Sequence, residues 1–134
     1  MIMSIPQEIK NLGTVLFIAE GQGIKKIYPL TEAYKKAGNR VMCIIGASTK
    51  NKLILADQMG QFCDELFIAT EDGSSGQKGK VLDVLKELFG IIEKSTHTKY
   101  PELIFASGSP ALLGSVSEIA GSCGVSVITK EENA

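Results

Sequence analysis

Five short apolar runs recur along the chain, at residues 14–19, 41–45, 66–69, 103–106 and 125–128. Each is rich in β-branched residues, apolar on consecutive positions, and followed by small or glycine-containing residues, as expected of a strand covered on both faces. Helical spacing fills the intervals. Residues 24–37 place Ile27, Leu30 and Tyr34 on one side and stop at Gly38-Asn39, a good helix terminator. Thr49 is positioned to cap a second helix through Phe62, with Leu53, Ile54 and Met59 as its apolar contacts. Val81, Leu82, Val84, Leu85, Leu88 and Phe89 form the strongest amphipathic pattern, and Ser109 opens a last helix through Ala120.

Strand and helix alternating five times predict parallel strands joined by right-handed crossovers, with helices on both faces of one sheet. The expected fold class is α/β, a three-layer α/β/α domain around a five-stranded parallel sheet of Rossmann-like type. Its expected extent is residues 13–134, with residues 1–12 as a lead-in segment that is either a helix or part of an upstream connection. In such sheets ligands bind outside the carboxyl ends of the strands, where strand order reverses. The loops that follow the strands are therefore the ones that carry function.

Composition narrows the classes. At 134 residues, 44% hydrophobic and 22% charged, the chain has room for about one globular domain. A formal charge of −1 offers no basic surplus for nucleic acid or an anionic membrane surface. No apolar run approaches the ~18 residues of a membrane span, and the first ten residues lack the basic start and long apolar middle of a signal peptide. These features predict a cytoplasmic protein. Cys43, Cys63 and Cys123, with His97 as the sole histidine, match no familiar zinc spacing. An odd number of thiols argues against a disulfide framework, and the expectation is three buried cysteines and no metal.

Four loops hold candidate chemistry. In the first, Glu20-Gly21-Gln22-Gly23-Ile24 runs directly into a helix, where close backbone approach and the helix dipole favour a phosphate. A simple tight turn accounts for the same residues. In the second, Ser48, Thr49 and Lys50 offer donors to a phosphate, while Thr49 also serves as an ordinary helix cap. No acidic residue ends this strand, unlike a conventional dinucleotide fold. In the third, Thr70-Glu71-Asp72-Gly73 leads a glycine- and hydroxyl-rich stretch to Gly79, longer than a turn requires. In the fourth, Ser107-Gly108-Ser109-Pro110 reads as a capped helix start or as a ligand-facing turn. No Gly-x-Ser-x-Gly elbow is present and His97 lies in a polar loop, which disfavours a hydrolase.

The order of these segments resembles the pyridine-nucleotide half of the ferredoxin–NADP reductase superfamily. The similarity is closest to electron-transfer subunits of sulfide dehydrogenase, cytosolic hydrogenase gamma chains and dihydroorotate dehydrogenase. It is carried by residues 13–24, Ile27-Tyr28-Pro29, residues 36–41, residues 46–50 and residues 72–79 continuing into the helix over 83–88. The resemblance implies that Gly21, Gln22, Gly23 and Ile24 lie under the diphosphate of NAD(P)H. It further implies that Ser48, Thr70, Glu71, Asp72 and Gly73 surround the adenosine end, and that Ser107, Gly108 and Ser109 lie by the nicotinamide. Carboxylates at the ribose favour NAD over NADP, because they repel a 2′-phosphate. No residue of this chain is assigned a catalytic role. FAD or FMN would be held by another domain or subunit, with iron–sulfur electron-transfer subunits as further partners, and the chain would not turn over without flavin. The alternative is a docking or regulatory module of the same fold that has lost dinucleotide binding, with Glu20 and Lys25-Lys26 as its motivation.

Overall fold

The computed structural model describes residues 9–131; residues 1–8 of the expected lead-in, and the last three residues, lie outside the described part. The elements run β1 (Thr14–Glu20), α1 (Gly23–Lys36), β2 (Arg40–Ala47), α2 (Ala56–Gly60), β3 (Glu65–Thr70), β4 (Gln77–Lys78), α3 (Val81–Lys94), β5 (Leu103–Gly108), α4 (Pro110–Ser122) and β6 (Ser126–Glu131). All strand pairs are parallel, in the order β4-β3-β2-β1-β5-β6. Strand order therefore reverses between β1 and β5.

Alternation along the strands divides the interior into two layers. Leu16 and Ile18 of β1, Met42 and Ile44 of β2, and Ile104 and Ala106 of β5 pack on one side with Val84, Leu85 and Phe89 of α3 and Leu112 and Val116 of α4. Val15, Phe17, Val41, Cys43, Ile45 and Phe105 pack on the other with Ile24, Ile27 and Tyr34 of α1 and Met59 of α2. The rings of Phe17 and Phe105 stack with centroids 5.2 Å apart, and Tyr34 meets Phe17 edge-on at 6.0 Å. Both aromatics of the stacked pair are buried, so truncating either to alanine removes ~3–5 kcal/mol of packing.

Three expectations need correction. The sheet has six strands: Gln77 and Lys78 add a two-residue strand beside Ala69 and Thr70. Gly76 makes this return possible, because at φ +64° a Cβ there would stand 2.1 Å from the Ile68 carbonyl oxygen. The continuous helix expected over residues 49–62 is instead a 3-10 turn, Lys50–Lys52, followed by the five-residue α2. Leu55, at φ 58°, breaks the path between them. Leu53, Ile54 and Leu55 still pack on the apolar layer, so burial is met without helix. Thr49 makes no side-chain cap; its hydroxyl lies 3.2 Å from Ser74 Oγ. Finally, only Cys43 is fully buried, while Cys63 and Cys123 are half-buried.

At the amino rim of the sheet, buried Asn39 ties the start of the domain together. Its Oδ1 accepts from Leu12 N at 2.7 Å and Gly13 N at 3.1 Å, and its Nδ2 donates to the Lys10 and Tyr34 carbonyls, both at 2.9 Å. The sequence pattern shows Asn39 only as a helix terminator; this second role depends on where the chain enters β1. His97 is exposed in its loop, at the position expected for a solvated residue.

Candidate functional site

Parity along β1 directs its last side chain. Leu16 and Ile18 face α3 and α4, so Glu20 does as well. Its carboxylate reaches across the strand-order reversal and accepts from Ser109 N at 3.4 Å, at the start of α4. A Cβ on Gly108 would lie 2.9 Å from Glu20 Cγ, so this approach needs glycine at position 108. Ser109 also caps α4 through its side chain, which accepts from Leu112 N at 3.2 Å, with Pro110 at the first helical position. The Ser107 hydroxyl is buried on the α1 side with no hydrogen-bond partner. It packs against Gly23, where a Cβ would meet the Ser107 carbonyl oxygen at 2.5 Å. Gly23 therefore serves close packing of α1 on β5.

On the other side of β1, the strand ends surround a cleft of about 570 Å³, within the size range of small-molecule sites. Its floor comprises Gly46, Ala47 and Ala69, and its walls Gly21, Gln22, Ser48, Lys52, Ile54, Gly79, Lys80 and Val81. Glu71, Lys52 and Lys80 bring charged side chains to the lining, and Glu20 borders it while its carboxylate turns to Ser109 N. Gly21 N donates to the Gly46 carbonyl at 3.1 Å, which ties the first loop to the end of β2. Gly46 lets the start of α3 approach the sheet, since a Cβ there would lie 2.6 Å from Val81 Cγ1 and 2.9 Å from the Ala69 carbonyl oxygen.

The third loop is organised largely by itself. Thr70 is buried, and its hydroxyl donates to the Ser75 carbonyl at 2.7 Å while accepting from Ser75 N at 3.0 Å. Asp72 accepts from Ser74 N at 2.9 Å and Ser74 Oγ at 2.6 Å. Ser74 is the main reason that the Asp72 carboxyl lies below its ordinary pKa, with a smaller contribution from Thr49. Gly73 turns at φ +75°. Glu71 N and Asp72 N donate to the Ala47 and Ser48 carbonyls, both at 3.2 Å, holding the loop against the end of β2.

Among the expected site residues, the structure brings Gly21, Gln22, Ser48 and Glu71 to the cleft wall. Ile24, in the first turn of α1, is buried in the core, and Thr70, Asp72 and Gly73 build the neighbouring loop. Ser107, Gly108 and Ser109 stand together at the strand-order reversal with Gly23 and Glu20. Sequence reasoning missed Gly46, Lys52, Ile54, Gly79 and Lys80. The signal for Gly46 was present, since a glycine within an apolar strand marks a close approach. Lys80 stands just before α3, where its N–H donates to Asp83 Oδ2 at 2.9 Å. Among the described residues, no group of three His, Cys, Asp or Glu side chains is placed to hold a metal, and no helix is long and apolar enough to cross a membrane.

No family model matches the chain. It is 44% identical over 84 residues to the dihydroorotate dehydrogenase B (NAD(+)) electron transfer subunit homolog of Thermotoga maritima, covering 63% of this chain and 29% of the relative. It is 35% identical over 127 residues to a protein of Methanopyrus kandleri named "Probable dihydroorotate dehydrogenase B (NAD(+)), electron transfer subunit", covering 92% of this chain and 45% of the relative. The chain thus spans under half the length of these curated relatives. In structure it matches an NADH-dependent reduced ferredoxin-NADP oxidoreductase with TM-score 0.71 and 33% identity, covering 92% of this chain and 42% of the other. The C-terminal domain of a Pyrococcus furiosus hydrogenase matches with TM-score 0.71 and 17% identity, over 97% of this chain and all of that domain. The fold is that of the nucleotide domain of ferredoxin–NADP reductase-like proteins. In sequence, the chain is a homologue of electron-transfer subunits of the dihydroorotate dehydrogenase B type, over part of their length.

Proposed function

We propose that residues 13–134 form the nicotinamide-nucleotide-binding module of a flavin-dependent oxidoreductase. The observation that carries the reading is the cleft at the carboxyl ends of β1, β2 and β3, lined by Gly21, Gln22, Ser48 and Glu71. Gly46 lets the start of α3 close on the sheet beside the cleft, and Gly79 borders the cleft at that point. When bound, the nicotinamide nucleotide supplies a hydride for transfer to flavin on another domain or subunit. This chain's part is binding and orientation. Gln22 and Gly23, at the start of α1, favour the diphosphate through backbone N–H groups and the helix dipole, with Gly21 turning the chain beneath it while its own N–H is held by the Gly46 carbonyl. Lys52 and Lys80 add positive charge at the cleft wall. Ser48 and Glu71 supply polar groups to the adenosine ribose; Thr70 and Asp72 support them from behind, since their own side chains are engaged within the loop. Glu71 accepts from ribose hydroxyls and repels a 2′-phosphate, which favours NAD. Ser107, Gly108 and Ser109 form the nicotinamide end. Iron–sulfur subunits are the expected electron partners, by analogy with the relatives' role in electron transfer.

Calorimetric titration of the chain with NADH and NADPH tests this. Binding of NADH at sub-millimolar concentration, weaker binding of NADPH, and reversal of that preference in Glu71→Lys are expected. No heat with either nucleotide at millimolar concentration overturns the reading.

One observation favours a second reading, a docking module that no longer binds dinucleotide: the Glu20 carboxylate sits on Ser109 N across the strand-order reversal. On that reading, Glu20→Gly gains binding that the natural chain lacks.

A further inference from the structure

The Sγ atoms of Cys43 and Cys63 lie 2.9 Å apart, and both cysteines are free. A disulfide needs them closer by only about 0.9 Å. The two thiols differ in access: Cys43 is fully buried at the middle of β2, whereas Cys63, just beyond α2, is half-buried and opens toward solvent. Cys123 lies on the opposite layer with no cysteine beside it; its sulfur lies 3.8 Å from Ser122 Oγ.

We propose that Cys43 and Cys63 form a reversible thiol–disulfide site, with Cys63 attacking and Cys43 resolving, and with a small glutathione-class disulfide as electron acceptor. In the first step, the Cys63 thiolate attacks one sulfur of the external disulfide. A Cys63–S–S–R bond forms, the external S–S bond breaks, and one RS⁻ leaves and takes a proton. In the second step, Cys43 loses its proton and its sulfur attacks Cys63 Sγ. The Cys43–Cys63 bond forms, the mixed disulfide breaks, and the second RS⁻ leaves and is protonated. Two electrons pass from the cysteine pair to the external disulfide, which ends as two thiols.

The surroundings support this division of roles. The hydrogen bond with Cys43 holds the Cys63 thiol below its ordinary pKa, and Lys35 acts in the same direction; partial burial and the carboxylate of Asp64 oppose them. Lys35 Nζ lies 2.8 Å from Asp64 Oδ1, which tempers that opposition. The same contact, with burial and Asp64, raises Cys43. A low-pKa, accessible thiol beside a buried partner is the arrangement that favours exchange. The bridge would also close a loop over residues 43–63. That loop contains Gly46, Ser48, Lys52 and Ile54 of the cleft, so oxidation would restrain one of its walls.

The whole chain is incubated with oxidised glutathione, quenched by alkylation and digested with trypsin, which separates the two thiols into residues 41–50 and 53–78. The expected result is a linked pair of these peptides, with Cys123 still alkylated, a rise in Tm of about 5–10 °C, and reversal of both by dithiothreitol. In Cys43→Ala, a glutathione adduct is expected on Cys63, formed at least tenfold faster than on Cys43 in Cys63→Ala. Absence of the linked peptides in the natural chain, or linkage to Cys123 in their place, overturns the proposal. Equal adduct rates in the two variants overturn the assignment of roles.

Discussion

On one side of β1, the ends of β2 and β3 leave a cleft of about 570 Å³ below the start of α3. On the other side, the end of β5 is bridged to β1 by a carboxylate seated on Ser109 N. Both sides belong to the same rim of the same sheet, and each depends on glycine at a close approach: Gly46 under Val81 in the first, Gly23 and Gly108 beside Ser107 and Glu20 in the second. What differs is one side chain. Glu20 follows the alternation of β1 toward α4, and its carboxylate meets Ser109 N where strand order reverses, the usual ligand position in open α/β sheets. Architecture thus specifies where a site can form, and Glu20 stands between its two halves, bordering one and bridging the other.

Added bulk under the start of α3 should do the most damage. Gly46→Val directs methyl groups at Val81 and the Ala69 carbonyl, and a loss of about 3 kcal/mol of unfolding free energy in urea is expected, with loss of nucleotide binding. Asn39→Ala at the opposite rim serves as a control. Removing four hydrogen bonds from a buried amide should cost about 2–3 kcal/mol by the same measurement, while nucleotide affinity in the folded fraction stays within twofold. Glu20→Gly sharpens the contrast directly. Opening the reversal and removing a negative charge should tighten NADH about tenfold in calorimetry, or ~1.4 kcal/mol. An unchanged affinity would show that Glu20 does not face the bound nucleotide.

The smallest effect lies at Asp64, which accepts from Lys35 Nζ at 2.8 Å and from Val41 N at 2.7 Å, away from both halves of the strand-end rim. The Lys35 ammonium is the main cause of its lowered pKa. A group depressed in the folded state stabilises fully above its unfolded pKa of ~3.9, and that contribution disappears as pH falls through the lower folded value. Comparing Asp64→Asn with the natural chain by urea unfolding should show a difference under about 1 kcal/mol at pH 7, after allowance for solvent screening. The difference should shrink as pH drops below 4, with no matching change in nucleotide affinity at pH 7.

The central strands were legible because burial on both faces writes itself as consecutive apolar residues: residues 14–19 were expected and Thr14–Glu20 is observed. The helix over Val81–Lys94 was equally plain from its spacing. Leu53, Ile54 and Met59 misled because helical spacing also arises when an irregular segment lays apolar residues on a core, with Leu55 at positive φ. Gln77 and Lys78 carry no strand signal; Gly76 and the Thr70–Ser75 hydrogen bonds bring them to the sheet. At the site, Gly21, Gln22, Ser48 and Glu71 were readable because they directly follow parallel strands. Lys52, Ile54 and Lys80 enter from segments whose positions depend on packing across the cleft, which spacing alone does not encode. The direction of Glu20 was recoverable from strand parity once β1 was bounded.

The brevity of β4 bears on how molecules of this protein meet one another. At the sheet margin it occupies, only Gln77 and Lys78 extend the ladder, and both are polar and exposed. Beside Ala69 and Thr70 an incoming strand would find two polar rungs and a positive charge, a poor template for pairing between copies. The loop that shapes the cleft thus also shields the carboxyl end of β3 from pairing with another strand.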